Sequence, residues 1–367
     1  MLKKFSVRNK TYSLPIFLPD ATLGVVRGLS SQQVAQAKIK GVVINTYHLM
    51  SKPGTKILNK VGGIKSFMNW DGLTVSDSGG FQLFSLIHSN PKLGKIIDDG
   101  VILYSSEKQR KKTLFTPENS IQVQFAINSD IMICLDDFSP IDASPTRLKQ
   151  SVKRTIDWAY RCKIEFEKQC QTKKLIGKNR PLLLAVVQGH RDYQLRQKCA
   201  EELVKIGFDG YGFGGWPFDD QGNFDYEMAR VTAEATPDNK LLFALGVGSP
   251  TNIMRLREMG YDLFDCVLPT RDARHQRLYV FNQDPAKLDL HKIKSAKTAN
   301  WYEFLYLDRG KYATDFSPVN QYCACPVCQN HTKAYLHHLF KIKDGLAYQL
   351  ASAHNLHFYA QVMKNLK

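Results

Sequence analysis

No apolar run in this chain approaches the roughly 18 residues that a membrane-crossing helix needs, so no helical span is expected. The basic start Met1-Leu2-Lys3-Lys4 is followed by polar Ser6-Val7-Arg8-Asn9-Lys10 instead of an apolar segment, so no secretory leader is read and a cytoplasmic protein is expected. Cysteine is scarce, at 8 in 367 residues, and without an export signal these do not form a disulfide framework. There is no internal repeat, no low-complexity segment and no Gly-rich nucleotide fingerprint, which removes solenoids, collagen-like chains and simple dinucleotide binders. Acidic residues are the other shortage: 34 Asp and Glu stand against 50 Lys and Arg, a formal net charge of +16. That excess favours a polyanionic partner, nucleic acid first, because each basic contact to phosphate releases counterions.

What is present suits a globular fold. Hydrophobic residues make up 43% and charged residues 23%, enough for a continuous core, and the length allows one large domain or two ordinary ones. The basic run Lys108-Gln109-Arg110-Lys111-Lys112 reads as an exposed loop, with phosphate contact the weaker alternative. Short apolar runs at 42–45, 73–77, 131–136, 182–188, 210–215, 241–246 and 263–268 read as buried strands. Helix-length stretches at 144–170, 191–206 and 249–259 lie between them, and strands alternating with helices make a parallel sheet. Polar residues at the strand ends favour a (β/α)8 barrel, an α/β TIM barrel, over an open doubly wound sheet. From about residue 280 the alternation fails, which suggests a subdomain inserted before one last helix; one barrel domain over 1–367 with this subdomain in 280–360 is expected.

Cys323-x-Cys325-x-x-Cys328 places three soft ligands on one tight turn. A histidine would complete a tetrahedral set, and a closed set with no open position implies one structural zinc per chain rather than a catalytic one. His354, in the helical stretch 346–366, is the first candidate; spacing alone leaves His331, His337, His338 and His357 open. Cys134, Cys162, Cys170, Cys199 and Cys266 read as small buried hydrophobes.

Three aspartates stand where strands end: Asp77 in Ser76-Asp77-Ser78-Gly79-Gly80-Phe81-Gln82, Asp136 in Leu135-Asp136-Asp137, and Asp265 in Phe264-Asp265-Cys266-Val267-Leu268-Pro269-Thr270-Arg271. A carboxylate beside such apolar runs costs several kcal/mol unless partnered, so capping, ion pairing or chemistry must account for each. Two carboxylates near one sugar can displace a base at an anomeric carbon, one attacking and the other moving the proton. A third could accept the N1–H and 2-amino hydrogens of guanine, while Gln188 and a backbone N–H at Gly214-Gly215 supply donors to O6 and Phe81 stacks on the base.

These motifs, together with Val187-Gln188-Gly189, Asn45-Thr46-Tyr47-His48-Leu49 and Ala334-Tyr335-Leu336-His337-His338-Leu339, occur in an order that resembles the tRNA-guanine transglycosylases of queuosine biosynthesis over almost the whole chain. The resemblance implies a (β/α)8 barrel with a zinc subdomain, and exchange of the wobble guanine of tRNA for a 7-deazaguanine, with 7-aminomethyl-7-deazaguanine ahead of queuine and the 7-cyano base. By it, Asp265 matches the nucleophile and Asp77 the general acid/base. Asp136, Gln188, Gly214 and Gly215 match base-reading positions, Leu245 and Gly246 the pocket floor, Phe81 the stacking ring, and Arg271 and Arg274 tRNA contacts. It also implies His354 as the fourth zinc ligand, and a homodimer through Tyr335, His338 and Leu339. Phe138 and Trp216-Pro217-Phe218 depart from the bacterial pattern with larger side chains, which is expected to disfavour a bulky 7-substituent. The competing readings are a non-catalytic tRNA-binding subunit, opposed by the presence of both Asp77 and Asp265, and a barrel hydrolase of free nucleosides, for which the basic charge has no use.

Overall fold

The computed structural model describes residues 1–104, 112–219, 221–290, 293 and 300–367; of the basic run, Lys108 to Lys111 lie outside the described residues. Eight parallel strands form the central sheet: β1 (Ile16–Pro19), β2 (Gly41–Ile44), β3 (Leu73–Ser76), β4 (Ile131–Ile133), β5 (Leu182–Val187), β6 (Gly210–Phe213), β7 (Leu241–Ala244) and β8 (Leu263–Cys266). Their order runs β1-β8-β7-β6-β5-β4-β3-β2. A parallel bridge from Asp20 to Val43, with the Ala21 N–H on the Val43 carbonyl at 2.7 Å, joins the ends into a barrel.

Both faces of each strand are covered, as an all-parallel sheet requires. Ile16, Leu18, Val43, Val75, Ile131, Ile133, Leu184, Val186, Phe243 and Leu263 fill the interior. Intervening residues such as Phe17 point outward to the helices, and Phe17 meets Tyr359 of the last helix with ring centroids 4.5 Å apart. An antiparallel hairpin, Lys4–Val7 with Lys10–Ser13, adds Val7 to the interior cluster.

The expected alternation holds, with shorter strands. The run 263–268 stops at Cys266 and turns into the helix Leu268–Arg274. The sequence pattern missed β1, because prolines at 15 and 19 bracket it; proline is tolerated at strand ends, where no ladder donor is needed. Helices Pro145–Thr172, Tyr193–Ile206 and Pro250–Glu258 fall within two residues of expectation, and the first two open on side-chain caps from Ser144 and Asp192. Unforeseen was an antiparallel sheet of Gly94–Ile97, Gly100–Tyr104 and Lys112–Phe115 between β3 and β4.

Beyond the helix Leu268–Arg274 come a hairpin (Arg277–Phe281 with Tyr302–Tyr306), helices Pro326–Asn330 and Lys333–Lys341, and the last helix Gly345–Asn365. That helix is buried on two sides. Ala347 and Ala351 enter the core of the added lobe, while Phe358, Tyr359 and Val362 join the barrel's outer core. Among the described residues no helix is long and apolar enough to cross a membrane.

Candidate active site

Strand register puts Asp77, Gln188, Leu245 and Asp265 on the inner face at the C-terminal mouth. Asp265 is paired with Leu18, whose side chain fills the barrel, so its carboxylate faces inward. Asp77 lies two residues past inward Val75, Gln188 two past Val186, and Leu245 two past Phe243. Asp136 follows β4. The mouth of a (β/α)8 barrel is where loops can assemble chemistry on a rigid frame.

The carboxylates are held differently. Asp77 accepts hydrogen bonds from Asn45 Nδ2 at 2.6 Å, the Thr46 N–H at 2.9 Å and the Gly79 N–H at 3.0 Å. Burial nevertheless outweighs these donors and raises its pKa to about 6. Among the described residues Asp265 receives only the Gly246 N–H, at 2.8 Å. Burial, reinforced by the negative charges of Asp20 and Asp77, pushes it up to about 7.

Asp136 accepts from Gln188 Nε2 at 2.7 Å and is pushed up to about 7, by burial first and then by Asp137 and Asp77. Its neighbour Asp137 is fully buried and gripped by Arg147 at 2.6 and 2.8 Å and by Arg154 at 2.6 Å. Of the two adjacent aspartates, one is thus consumed by structure and the other left for a ligand. Three inward carboxylates with raised pKa values, crowded at one mouth, are groups poised for proton transfer and nucleophilic attack near neutrality.

Glycine shapes the slot beside them. A Cβ on Gly214 would lie 2.4 Å from Val186 Cγ1 and 2.8 Å from Gln188 Nε2, so any side chain would displace the amide that holds Asp136. Gly215 has φ +99° and Gly246 φ +72°, left-handed conformations that favour glycine. Leu245 lies against Gly212, where an added Cβ would come within 3.0 Å of its Cδ1. On the opposite wall, Phe81 opens the helix Gly80–Ser89 with half its surface exposed and meets Phe138 edge-on at 5.2 Å, 88° between planes. Trp216 is exposed and packs on Phe218. Phe218 in turn lines a cleft of about 670 Å³ that runs past Phe224, Tyr226, Gly246 and Leu268.

Several supporting residues escaped the sequence reading. Asn45 and Thr46 belong to a quoted motif, yet nothing in their spacing showed that they hold Asp77. Arg196, fully buried, donates to the carbonyls of His190 at 3.1 Å, Val187 at 3.1 Å and Gly214 at 2.9 Å, tying together the segments that carry Gln188 and Gly214-Gly215. Asp20, at the end of the missed strand β1, is the fourth. Arg271 is exposed, whereas Arg274 keeps a buried Nη1 without a partner among the described residues.

The predicted metal ligands meet. Sγ of Cys323, Cys325 and Cys328 and Nδ1 of His354 lie within 4.8 Å of one another. His354 Nδ1 is 3.9, 3.5 and 3.3 Å from the three sulfurs, spacings compatible with a tetrahedral ion bonded at about 2.0–2.3 Å. Nε2 of His354 donates to the Tyr279 carbonyl at 2.8 Å, which leaves the Nδ1 lone pair facing the thiols. The donor set fits zinc. His331, His337, His338 and His357 are not among these ligands. Near this centre Tyr335 and His338 are exposed, but Leu339, expected at a subunit contact, is buried in the lobe's own core, where the helix Lys333–Lys341 turns it inward.

The model of one protein family, described as queuine tRNA-ribosyltransferase, matches residues 2–367. Proteins of that name from Thermoanaerobacter pseudethanolicus and Helicobacter pylori are 36% and 37% identical to this chain. The alignments cover 96% and 99% of the chain and 85% and 89% of the relatives. A third, from Staphylococcus haemolyticus, is 35% identical over 97% of the chain and 85% of its own length. With an eight-stranded barrel, a Cys3His cluster and similarity running from end to end, this chain belongs to the queuine tRNA-ribosyltransferase family of pentosyltransferases.

Proposed function

We propose that the protein exchanges the wobble guanine of tRNA for a 7-deazaguanine, as a cytoplasmic tRNA-guanosine transglycosylase. The observation that carries this reading is the grouping of Asp77, Asp136 and Asp265 around one glycine-walled slot. Asp136, with Gln188 Nε2 2.7 Å away, offers a carboxylate to the N1–H and 2-amino group of a guanine. Gly215 N–H and the Gln188 amide answer O6, Leu245 and Gly246 form the floor, and Phe81 covers the base.

Asp265 attacks ribose C1′ while the C1′–N9 bond breaks, and Asp77 delivers a proton to the departing guanine. The incoming base then gives its N9 proton to Asp77 and attacks C1′, releasing the Asp265 carboxylate. One glycosidic bond replaces another, so no energy source is consumed. Arg271 and Arg274 hold the anticodon loop, consistent with the surplus of positive charge. Cys323, Cys325, Cys328 and His354 would hold one zinc ion, which would supply structure and not chemistry, because the protein offers it four ligands. The chain acts as one catalytic unit over 1–367, with 280–360 as the zinc subdomain, and works as a homodimer.

Phe138 beside Phe81 narrows the wall, which supports 7-aminomethyl-7-deazaguanine over queuine as incoming base. Incubation with tRNA and labelled guanine tests the reaction: label should enter the RNA, and Asp265→Asn should abolish entry while tRNA binding remains. Binding without incorporation would make the chain a non-catalytic partner. Release of free base without exchange would make it a hydrolase.

A further inference from the structure

Asp20 has no part in the mechanism above, yet it faces the same space. It is one strand over from the nucleophile: β1 pairs with β8 through Leu18 and Asp265, and Asp20 is two residues beyond Leu18 on the same inward face. Its bridge to Val43, another interior residue, confirms that orientation. A strand spacing of about 4.8 Å and a rise of about 3.3 Å per residue put its Cα roughly 8 Å from that of Asp265, one step nearer the mouth.

A half-buried carboxylate here needs an explanation. Thr22 is its only hydrogen-bond donor among the described residues, through the hydroxyl on Oδ1 and the backbone amide. Arg274 and His48 are close enough to favour its charged form. Those contacts leave acceptor capacity on a carboxylate, which has about four lone-pair sites. Arg274, whose charge acts on Asp20, also keeps its own buried Nη1 without a partner among the described residues.

With the reaction proposed above, the contents of this space follow. The base-reading groups lie on the β4–β7 side, and the sugar is joined at C1′ to Asp265 on β8. The ribose therefore extends from β8 over β1 toward the mouth, with its 2′-hydroxyl on the carbon next to the one under attack. We propose that Asp20 accepts a hydrogen bond from the 2′-hydroxyl of the nucleotide undergoing exchange, and so makes the site selective for RNA over DNA at that position. A hydrogen bond to a sugar hydroxyl next to the reacting carbon strengthens as positive charge develops on the ring.

The inference rests on the transglycosylase reading, and the test separates the two. Exchange of labelled guanine is measured on a tRNA anticodon stem-loop with guanosine at the wobble position and on the same RNA with a single 2′-deoxyguanosine there. The enzymes are wild type, Asp20→Ala and Asp20→Asn. Wild type should prefer the ribo substrate at least tenfold in kcat/KM. In Asp20→Ala that ratio should fall toward one, the loss falling mainly on the ribo substrate. Asp20→Asn, which keeps a carbonyl acceptor and the side-chain shape, should give an intermediate ratio. Because each ratio comes from one preparation, a partial folding defect cancels. An active wild type with no ribo preference, or a ratio unchanged in both variants, overturns the role of Asp20 and leaves the reaction standing. A wild type that exchanges guanine into neither RNA overturns the reaction and this role with it.

Discussion

His354 and Tyr279 are joined by a hydrogen bond from Nε2 to the main-chain carbonyl at 2.8 Å. The next residue, Asn355, accepts from the amide of Tyr279 at 3.1 Å and donates to the Pro269 carbonyl at 2.9 Å, inside the helix that directly follows Asp265. The metal-binding histidine and the segment behind the candidate nucleophile thus share one fastening.

Metal removal should therefore do more than loosen a peripheral lobe. About one zinc per chain should be found, and chelation or Cys325→Ala should lower the melting temperature by several degrees and reduce guanine exchange. Metal analysis alongside thermal unfolding checks this. A chelated, metal-free protein that melts where the loaded one does would show that the lobe does not depend on the ion.

Arg196→Met should leave the carbonyls of Val187, His190 and Gly214 without their buried donor, at a cost of about 3 kcal/mol. Because these carbonyls position Gln188 and Gly214-Gly215, KM for the free base should rise more than kcat falls. Steady-state exchange kinetics decides, and an unchanged KM would make Arg196 a stabilising residue alone.

The carboxylates set opposite demands on pH. Unfolded aspartates titrate near 4, whereas Asp77 is raised to about 6 and Asp136 and Asp265 to about 7. Their protonated forms add stability that is full below about pH 4 and is lost as pH rises through about 6 to 7. Asp265→Asn, neutral at every pH, should have little effect on the melting temperature near pH 4, and should raise it progressively above that, by a few degrees at pH 8. Exchange by the wild type should run the other way, falling by half near pH 7 as acid neutralises Asp265 and Asp136. A pH-independent difference between mutant and wild-type melting would refute the shared origin.

Phe138→Ala should open the wall that Phe81 and Phe138 form and raise the use of queuine relative to 7-aminomethyl-7-deazaguanine by tenfold or more. Competition between the two bases on one tRNA measures it. A wild type that already prefers queuine would show that these rings do not line the 7-substituent's path.

Much of this site could be read before folding because its residues are anchored to strand ends. In a parallel barrel an apolar run followed by a polar residue marks the C-terminal mouth, so Asp77, Gln188, Asp265 and the Asp136-Asp137 pair could be picked out as candidates by position. The candidate metal ligands could be picked out by the Cys323, Cys325, Cys328 spacing, although the histidine needed either the family resemblance or the structure. Strand β1 was hidden between two prolines, and with it Asp20. Arg196 looked like one more helical arginine, since no periodicity reveals that a cation is buried on three carbonyls.

The order of apolar runs and their polar terminators determined by itself that strands alternate with helices and that carboxylates stand at strand ends, because side chains alternate along a strand and burial selects one set; closure of the sheet through Asp20 and Val43 was decided by the tertiary structure. Only the tertiary structure decided which aspartate is free and which is consumed: Asp136 and Asp137 are adjacent and chemically identical, and the difference between them is that Arg147 and Arg154 converge on the second while Gln188 reaches the first. Such pairings depend on registers between distant segments, and no local pattern encodes them.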